Sequence, residues 1–126
     1  MKALTNKEEE VMKILWQIGG GFVKDILAAY TDNTEPPHYN TLSTMVRNLE
    51  EKGYVSHKAD GKTHEYFPVI SKDAYRAELM EKAVSDFFSN SYTGLVSQFA
   101  AEEKISVAEL KKIIELIENK PDGKLP

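Results

Sequence analysis

Cysteine is absent from this chain of 126 residues, which excludes disulfide bonds and thiolate metal sites. The sequence also has no apolar run near the ~20 residues that a membrane-spanning helix needs. Its first residues, MKALTNKEEE, contain no apolar core of the kind found in signal peptides. We therefore expect a protein that is not inserted in a membrane, and these absences favour the cytoplasm.

An excess of positive charge, which is typical of many DNA-binding domains, is also missing. The formal net charge is −4, and residues 1–70 contain eight Lys/Arg and ten Asp/Glu, as do residues 71–126. A nucleic-acid-binding function therefore cannot be inferred from the overall charge. It depends on where the few positive side chains are placed.

Capping and turn signals predict three helices in the first part of the chain. Thr5-Asn6-Lys7-Glu8 has the spacing of a capping box and precedes an apolar stripe that ends at Gly19-Gly20-Gly21. A shorter helix follows, and Pro36-Pro37 cannot continue it. The third helix is predicted from about Asn40 to Lys52, with Gly53 as its left-handed C-terminal residue.

A β-hairpin is predicted after the third helix, because Asp60-Gly61 is a strong two-residue turn signal between two segments rich in strand-forming residues. With Asp60 and Gly61 at the centre of the turn, Ala59 pairs with Lys62 and His57 pairs with His64. The two histidines are candidates for a metal pair or a pH switch, but they are too few for a closed zinc site. We therefore expect no metal and no cofactor.

Three helices followed by a hairpin predict a mainly α fold with a small β-hairpin wing, namely a winged helix-turn-helix over residues 1–70. Leu42, Met45, Val46 and Leu49 give its third helix a buried face. The opposite face carries short polar residues and one arginine, with no acidic residue from Asn40 to Leu49. Such side chains can approach base edges and phosphates. The residues predicted to bind DNA are Asn40, Ser43, Thr44 and Arg47, with Lys58 and Lys62 of the wing contacting phosphates.

Two alternative functions are compatible with the same residues. Asn, Ser and Thr are frequent at helix starts, and winged domains also dock on proteins without touching DNA. A protein-interaction adaptor without sequence-specific DNA binding is therefore the main alternative. An enzyme using His57, His64 and a carboxylate is disfavoured, because no nucleophile–base pair stands at a plausible spacing.

Residues 71–126 predict a second, helical region that dimerises. The first predicted helix of this region is capped by Ser71 and runs to about Asn90, and a short helix follows over Gly94–Glu102. A last helix begins after the capping-box spacing of Ser106–Glu109. The chain then ends in a predicted tail, Lys120–Pro126. A helical layer this short buries little apolar surface alone, and a twofold partner supplies the missing surface. The alternative is a monomer in which this region packs back on the winged domain. The residues assigned to the dimer interface are Phe87, Phe88, Leu95, Phe99, Ile113 and Ile117.

These motifs resemble the BlaI/MecI family of bacterial repressors, the penicillinase-repressor group, over most of the chain. The segments that carry the resemblance are Glu10-Val11-Met12, TLSTMVRNLEEKGYV from Thr41 to Val55, the wing residues His57-Lys58 and Asp60-Gly61-Lys62, and Leu95-Val96-Ser97-Gln98-Phe99. The resemblance implies a homodimeric repressor on a palindromic double-stranded DNA operator. It adds Thr41 to the recognition residues Asn40, Ser43 and Thr44.

The resemblance also implies a proteolytic switch. In the antibiotic-resistance members of the family, a membrane sensor metalloprotease cuts just before the Phe of an L-V-x-x-F segment, which corresponds here to the Gln98–Phe99 bond. Leu95, Val96 and Phe99 also stand at helical spacing and suit a dimer core in either case. The chain departs from the family at Asn48 and Gln98, where arginine and asparagine are usual. Copper-sensing relatives use cysteines, so copper sensing is not expected.

Overall fold

The structure, a computed structural model, describes residues 1–31 and 35–120. Its elements are α1 (Asn6–Ile18), α2 (Val23–Ala28), α3 (Tyr39–Glu51), β1 (Val55–Asp60), β2 (Thr63–Pro68), α4 (Lys72–Phe88), α5 (Tyr92–Ala101) and α6 (Val107–Asn119). The predicted fold class is confirmed, since three helices and a two-stranded antiparallel wing are followed by three further helices. None of the helices in these described ranges is long and apolar enough to cross a membrane.

The chain divides into two compact units, Met1–Ala77 and the residues from Glu78 onward. We call them the winged unit and the helical unit. The boundary lies inside α4, whereas the sequence places it between residues 70 and 71. The assignment of residues 1–70 to DNA binding and 71–126 to dimerisation stays a prediction.

The core of the winged unit forms where α1, α2 and α3 meet the base of the hairpin. α1 begins with the predicted capping box: Glu8 N–H donates to Thr5 Oγ1 at 3.1 Å, and Thr5 N–H donates to Glu8 Oε1 at 2.9 Å. α3 buries Leu42, Val46 and Leu49, and Gly53 has the expected positive φ of 86°. The buried residues of the core are Val11, Met12, Leu15, Val23, Ile26, Leu42, Val46, Leu49, Tyr54, Val55 and Tyr66. This packing leaves the opposite face of α3 uncovered by the core.

The hairpin has a different register from the predicted one. The cross-strand pairs are Asp60–Thr63, Ala59–His64 and His57–Tyr66, so the predicted pairs Ala59–Lys62 and His57–His64 are wrong. The central turn residues are Gly61 and Lys62, and Gly61 has a φ of 62°. Glycine at the first central position is the arrangement of a type II′ turn, which leaves Asp60 in the strand. His57 and His64 become diagonal neighbours, and their rings still stack with centroids 4.0 Å apart.

The triple-glycine segment after α1 brings the wing beside α2. Gly21 exchanges two backbone hydrogen bonds of 2.8 Å with Tyr66 of β2. A Cβ atom added to Gly20 would lie 2.8 Å from the Tyr66 carbonyl oxygen, and Gly20 has a φ of 143°. Glycine is therefore required where the chain passes so close to β2.

A buried carboxylate ties the end of α3 to the start of α1. Glu8 is only 4% exposed, and Lys52 Nζ donates to Glu8 Oε1 at 2.6 Å and to Ala3 O at 3.0 Å. Burial alone would raise the pKa of the Glu8 carboxyl. The hydrogen bonds from Lys52 and Thr5 outweigh it and hold that pKa below its ordinary value of 4.5.

We expect Glu8→Gln to lower the free energy of unfolding by about 1–3 kcal/mol at neutral pH, since it removes a charge-assisted hydrogen bond from a buried pair. The native carboxylate has a lowered pKa, so its contribution is complete above the ordinary value of 4.5 and is lost as the pH falls through the native pKa. Urea denaturation at pH 7 and at pH 3.5 measures both effects. Glu81→Gln, at an exposed position of α4, is the control. An equal loss at both pH values would contradict the role of the ion pair.

The helical unit contains short helices with well-defined caps. α4 ends at Phe88 rather than near Asn90, because Ser89 and Asn90 have left-handed φ values of 50° and 64°. α5 begins at Tyr92, two residues before the predicted start, because the Ser91 side chain accepts from Gly94 N–H at 2.9 Å. The capping box at the start of α6 is confirmed. The predicted tail lies, after Lys120, outside the described residues.

Candidate nucleic-acid interface

The outward face of α3 carries a chain of side-chain hydrogen bonds. Thr44 Oγ1 donates to the backbone oxygen of Asn40 at 3.0 Å, and Arg47 Nη2 donates to Thr44 Oγ1 at 3.4 Å. The Thr44 hydroxyl proton is therefore committed to the helix backbone, so the residue offers a ligand its methyl group and its accepting oxygen. The bond to Thr44 uses one of the five guanidinium donors of Arg47 and holds the guanidinium along the helix face.

An open cleft of about 620 Å³ lies between α2, α3 and the tip of the wing. Its positive lining residues are Lys24 from α2, Arg47 from α3 and Lys62 from the turn. Asn40 and Ser43 line the same cleft, and Asp60 is an acidic side chain at its edge. The cleft thus combines three cations with short polar groups, which suits a polyanion with hydrogen-bonding edges.

Five of the seven residues predicted to bind DNA come together here. Four of them line the cleft, namely Asn40, Ser43, Arg47 and Lys62. The fifth is Thr44, which is hydrogen-bonded to the backbone oxygen of Asn40 and to the side chain of Arg47. Thr41 instead lines a separate depression of about 380 Å³ beside the start of α3.

Lys58 is the other predicted residue that lies outside the cleft. It is on the other face of the hairpin, paired with Glu65, and its ammonium lies 5.9 Å from the centroid of the Phe67 ring. The wing therefore presents its two lysines in different directions.

The sequence-based prediction missed other residues of the cleft lining, among them two from α2 and its N-cap and one from the start of α3. Phe22 and Lys24 come from the start of α2, where Lys24 Nζ lies 5.8 Å from the centroid of the Phe22 ring. Tyr39, the first residue of α3, is 52% exposed. In a helix-turn-helix the helix before the recognition helix crosses the DNA backbone, so a lysine in the first turn of α2 could have been found by that rule.

A contact between α3 and β1 fixes the wing beside the cleft. His57 Nδ1 lies 2.6 Å from Glu50 Oε2, and the His57 ring stacks on that of His64. Tyr66 is buried beneath them, and burial together with the charge of Glu50 raises the pKa of its phenol. Within residues 1–31 and 35–120, no cluster of three or more histidine, cysteine or acidic side chains is able to hold a metal ion.

Comparison with known proteins connects this interface to a family. Residues 4–119 match the sequence model of the family described as penicillinase repressor. The chain belongs to the penicillinase repressor family. The predicted resemblance is thereby confirmed over nearly the whole chain, and the protein is a DNA-binding transcriptional repressor rather than an enzyme.

The relatives are similar to this repressor at low identity but along almost their whole length. The penicillinase repressor of Bacillus licheniformis is 22% identical, with 96% of this chain and 94% of that protein covered. The methicillin resistance regulatory protein MecI of Staphylococcus aureus strain N315 is 20% identical, with 93% and 94% covered. The solved structure named "CopR Repressor Structure" is 26% identical and covers 56% of this chain and 100% of that chain, with a TM-score of 0.45.

Proposed function

We propose that the repressor works as a cytoplasmic homodimer that occupies a palindromic operator and so blocks access to a promoter. The observation that carries the proposal is the open cleft in which Lys24, Arg47 and Lys62 surround the polar face of α3. This surface joins phosphate-binding cations to side chains able to read bases, which a protein-docking face does not require.

In the proposed complex, α3 enters the major groove and the wing lies over the adjacent backbone. Arg47 bonds a guanine, and the Thr44 methyl group contacts a thymine. Asn40, Thr41 and Ser43 contact base edges or phosphates near the start of the helix. Lys58 and Lys62 bind phosphates on the two sides of the wing, which adds affinity that falls with salt.

Apolar exposure in the helical unit supports the homodimer. Among its described residues only Val84 is buried, whereas Phe87 is 81% exposed and Ile113 and Ile117 are 42% and 56% exposed. Apolar surface gathered on short helices in this way marks a protein interface. A second copy provides a matching surface through a twofold axis. The residues we assign to the interface are Phe87, Phe88, Leu95, Phe99, Ile113 and Ile117.

Selection of bound DNA from a random pool tests the proposal directly. We expect an enriched palindrome whose half-sites are separated by about one helical turn or a multiple of it. The affinity of the selected sequence should fall steeply with salt. If no sequence is enriched and the weak binding vanishes at modest salt, the protein-interaction adaptor becomes the better explanation.

We further propose that cleavage of the Gln98–Phe99 bond releases the operator. The bond lies inside α5, where Gln98 Nε2 donates to Glu102 Oε1 at 2.7 Å. A helix of ten residues is marginal by itself, so local unwinding exposes the bond at modest cost. A cut there separates Leu95 from Phe99 and α6, and it divides the proposed interface.

Incubation with the cognate membrane sensor metalloprotease is expected to yield a fragment that begins at Phe99 and to release the operator. N-terminal sequencing of the products identifies the cut, and a chelator that removes the protease metal should prevent it. An intact chain, or a cut at another bond, would contradict the proposed switch. Neither result would bear on the separate proposal that the repressor binds a palindromic operator.

A further inference from the structure

Two histidine rings of the wing lie against each other beside the cleft. The ring centroids of His57 and His64 are 4.0 Å apart, and the angle between the ring planes is 11°. His57 is half-buried, and its Nδ1 lies 2.6 Å from Glu50 Oε2 of α3. His64 is the exposed ring of the stack, and it lines the cleft. The stack therefore holds one imidazole where a ligand of the cleft can reach it.

The ring nitrogens of His64 are available to such a ligand. Across residues 1–31 and 35–120, no group is hydrogen-bonded to either of them. A neutral imidazole offers one N–H donor, whereas an imidazolium offers two and carries a positive charge. Histidine is the side chain that ordinarily changes between these two forms from pH 5 to pH 8. His64 can therefore add a further cation to the cleft at the lower end of that range.

The His57–Glu50 pair lies behind the His64 ring, on the side away from the open cleft. The pair carries one negative charge when His57 is neutral and no net charge when His57 is protonated, so it never adds net positive charge there. The other charged or titratable side chains around the ring are Lys24 of α2, Tyr39 and Arg47 of α3, Lys62 of the turn, and Asp60 and Tyr66 of the strands.

DNA in the cleft changes this balance of charges. A phosphate on the open side adds negative charge near the His64 ring, and two N–H donors on the imidazolium suit phosphate oxygens. Bound DNA therefore favours the protonated ring, and the protonated ring in turn favours bound DNA, because linkage between two ligands is reciprocal.

We propose that His64 is a further DNA-contacting residue, which binds a backbone phosphate in its protonated form and makes the affinity for DNA depend on pH. The inference rests on the proposed placement of DNA in the cleft, and it requires neither the palindrome nor the homodimer. The contact is complete while the imidazole is protonated and is lost as the pH rises through the range in which histidine titrates. Since a phosphate contact reads no sequence, operator and random DNA should respond alike.

Two variants of opposite charge test the role of His64 by fluorescence anisotropy at pH 6, 7 and 8 and constant ionic strength. The affinity of the wild type for random duplex DNA should fall about 10-fold from pH 6 to pH 8, within the limit of roughly 10-fold per pH unit for one proton. For His64→Gln, which stays neutral, this fall should shrink to about twofold or less. His64→Lys is charged throughout, so it should bind at pH 8 about as tightly as the wild type binds at pH 6.

His38→Gln is the matched control, because the third histidine of the chain lies at the N-cap of α3 and lines the separate depression. It should keep the pH dependence of the wild type. If it loses that dependence, or if His64→Gln keeps it, the inference is overturned. It is also overturned if His64→Lys, folded by circular dichroism, binds at pH 8 no better than the wild type at pH 8. If Arg47→Ala and Lys62→Ala both bind DNA as the wild type does, the cleft is not the interface, and the proposed function fails there together with the inference.

Discussion

The double substitution Ile113→Glu and Ile117→Glu is expected to make the repressor monomeric and to lower its affinity for a palindromic operator by about 10²–10⁴-fold. Both side chains are exposed on α6, so two carboxylates there meet water in the free chain and leave the helix intact. In a dimer the same carboxylates would be buried without partners, which strongly opposes association. A monomer binds one half-site at a time and loses the gain from two linked contacts.

A matched control shows whether the loss of affinity comes from the loss of the dimer or from the two added negative charges. Ala108→Glu and Asn119→Glu add the same two carboxylates to α6 at exposed positions on the opposite side of the helix. This control should remain dimeric in sedimentation equilibrium and bind the operator nearly as well as the wild type. If both double variants stay dimeric, α6 is outside the interface. If the Ile variant is monomeric yet binds the palindrome normally, the operator does not require a dimer.

Features encoded over a few neighbouring residues could be predicted from the sequence. The capping boxes that start α1 and α6 and the left-handed Gly53 all have the predicted geometry. The hairpin register failed because Asp60-Gly61 is compatible with two placements of the turn. The conformation of Gly61 at the first central position chose between them, and a one-residue shift of the turn changed every cross-strand pair.

The candidate site was predictable only where one helix contains it. The polar face of α3 follows from the helical period, and the structure gathers most of that face at the cleft. Phe22 reaches the cleft because α2 packs on α3, a tertiary contact that local sequence does not show. Lys24 could have been found only from the general rule that the helix before the recognition helix crosses the DNA backbone. Lys58 lies on the opposite face of β1 from His57 and Ala59 in either register, because side chains alternate between the faces of a strand. Its separation from the cleft therefore follows from the strand period and did not depend on the register.

Arg47→Ala is expected to weaken binding to the selected operator by about 1–3 kcal/mol per half-site, which is roughly 5–150-fold. Arg47 is exposed, so its removal should change stability little. Its guanidinium is already held by Thr44, and an ordered side chain loses less entropy when it bonds a guanine. The loss should therefore be concentrated on one base position of each half-site.

Lys62→Ala is the comparison that shows whether Arg47 contacts a base or only a phosphate. Lys62 lines the same cleft from the turn, where a phosphate contact adds affinity without reading sequence. Its removal should weaken operator and random DNA alike and reduce the salt slope by about one, whereas Lys112→Ala on α6 should change neither. Fluorescence anisotropy on both DNAs over a salt series distinguishes the roles. If Arg47→Ala loses the same affinity for operator and for random DNA, Arg47 contacts a phosphate and not a base. If Arg47→Ala and Lys62→Ala both bind the operator as the wild type does, the DNA interface lies elsewhere on the protein.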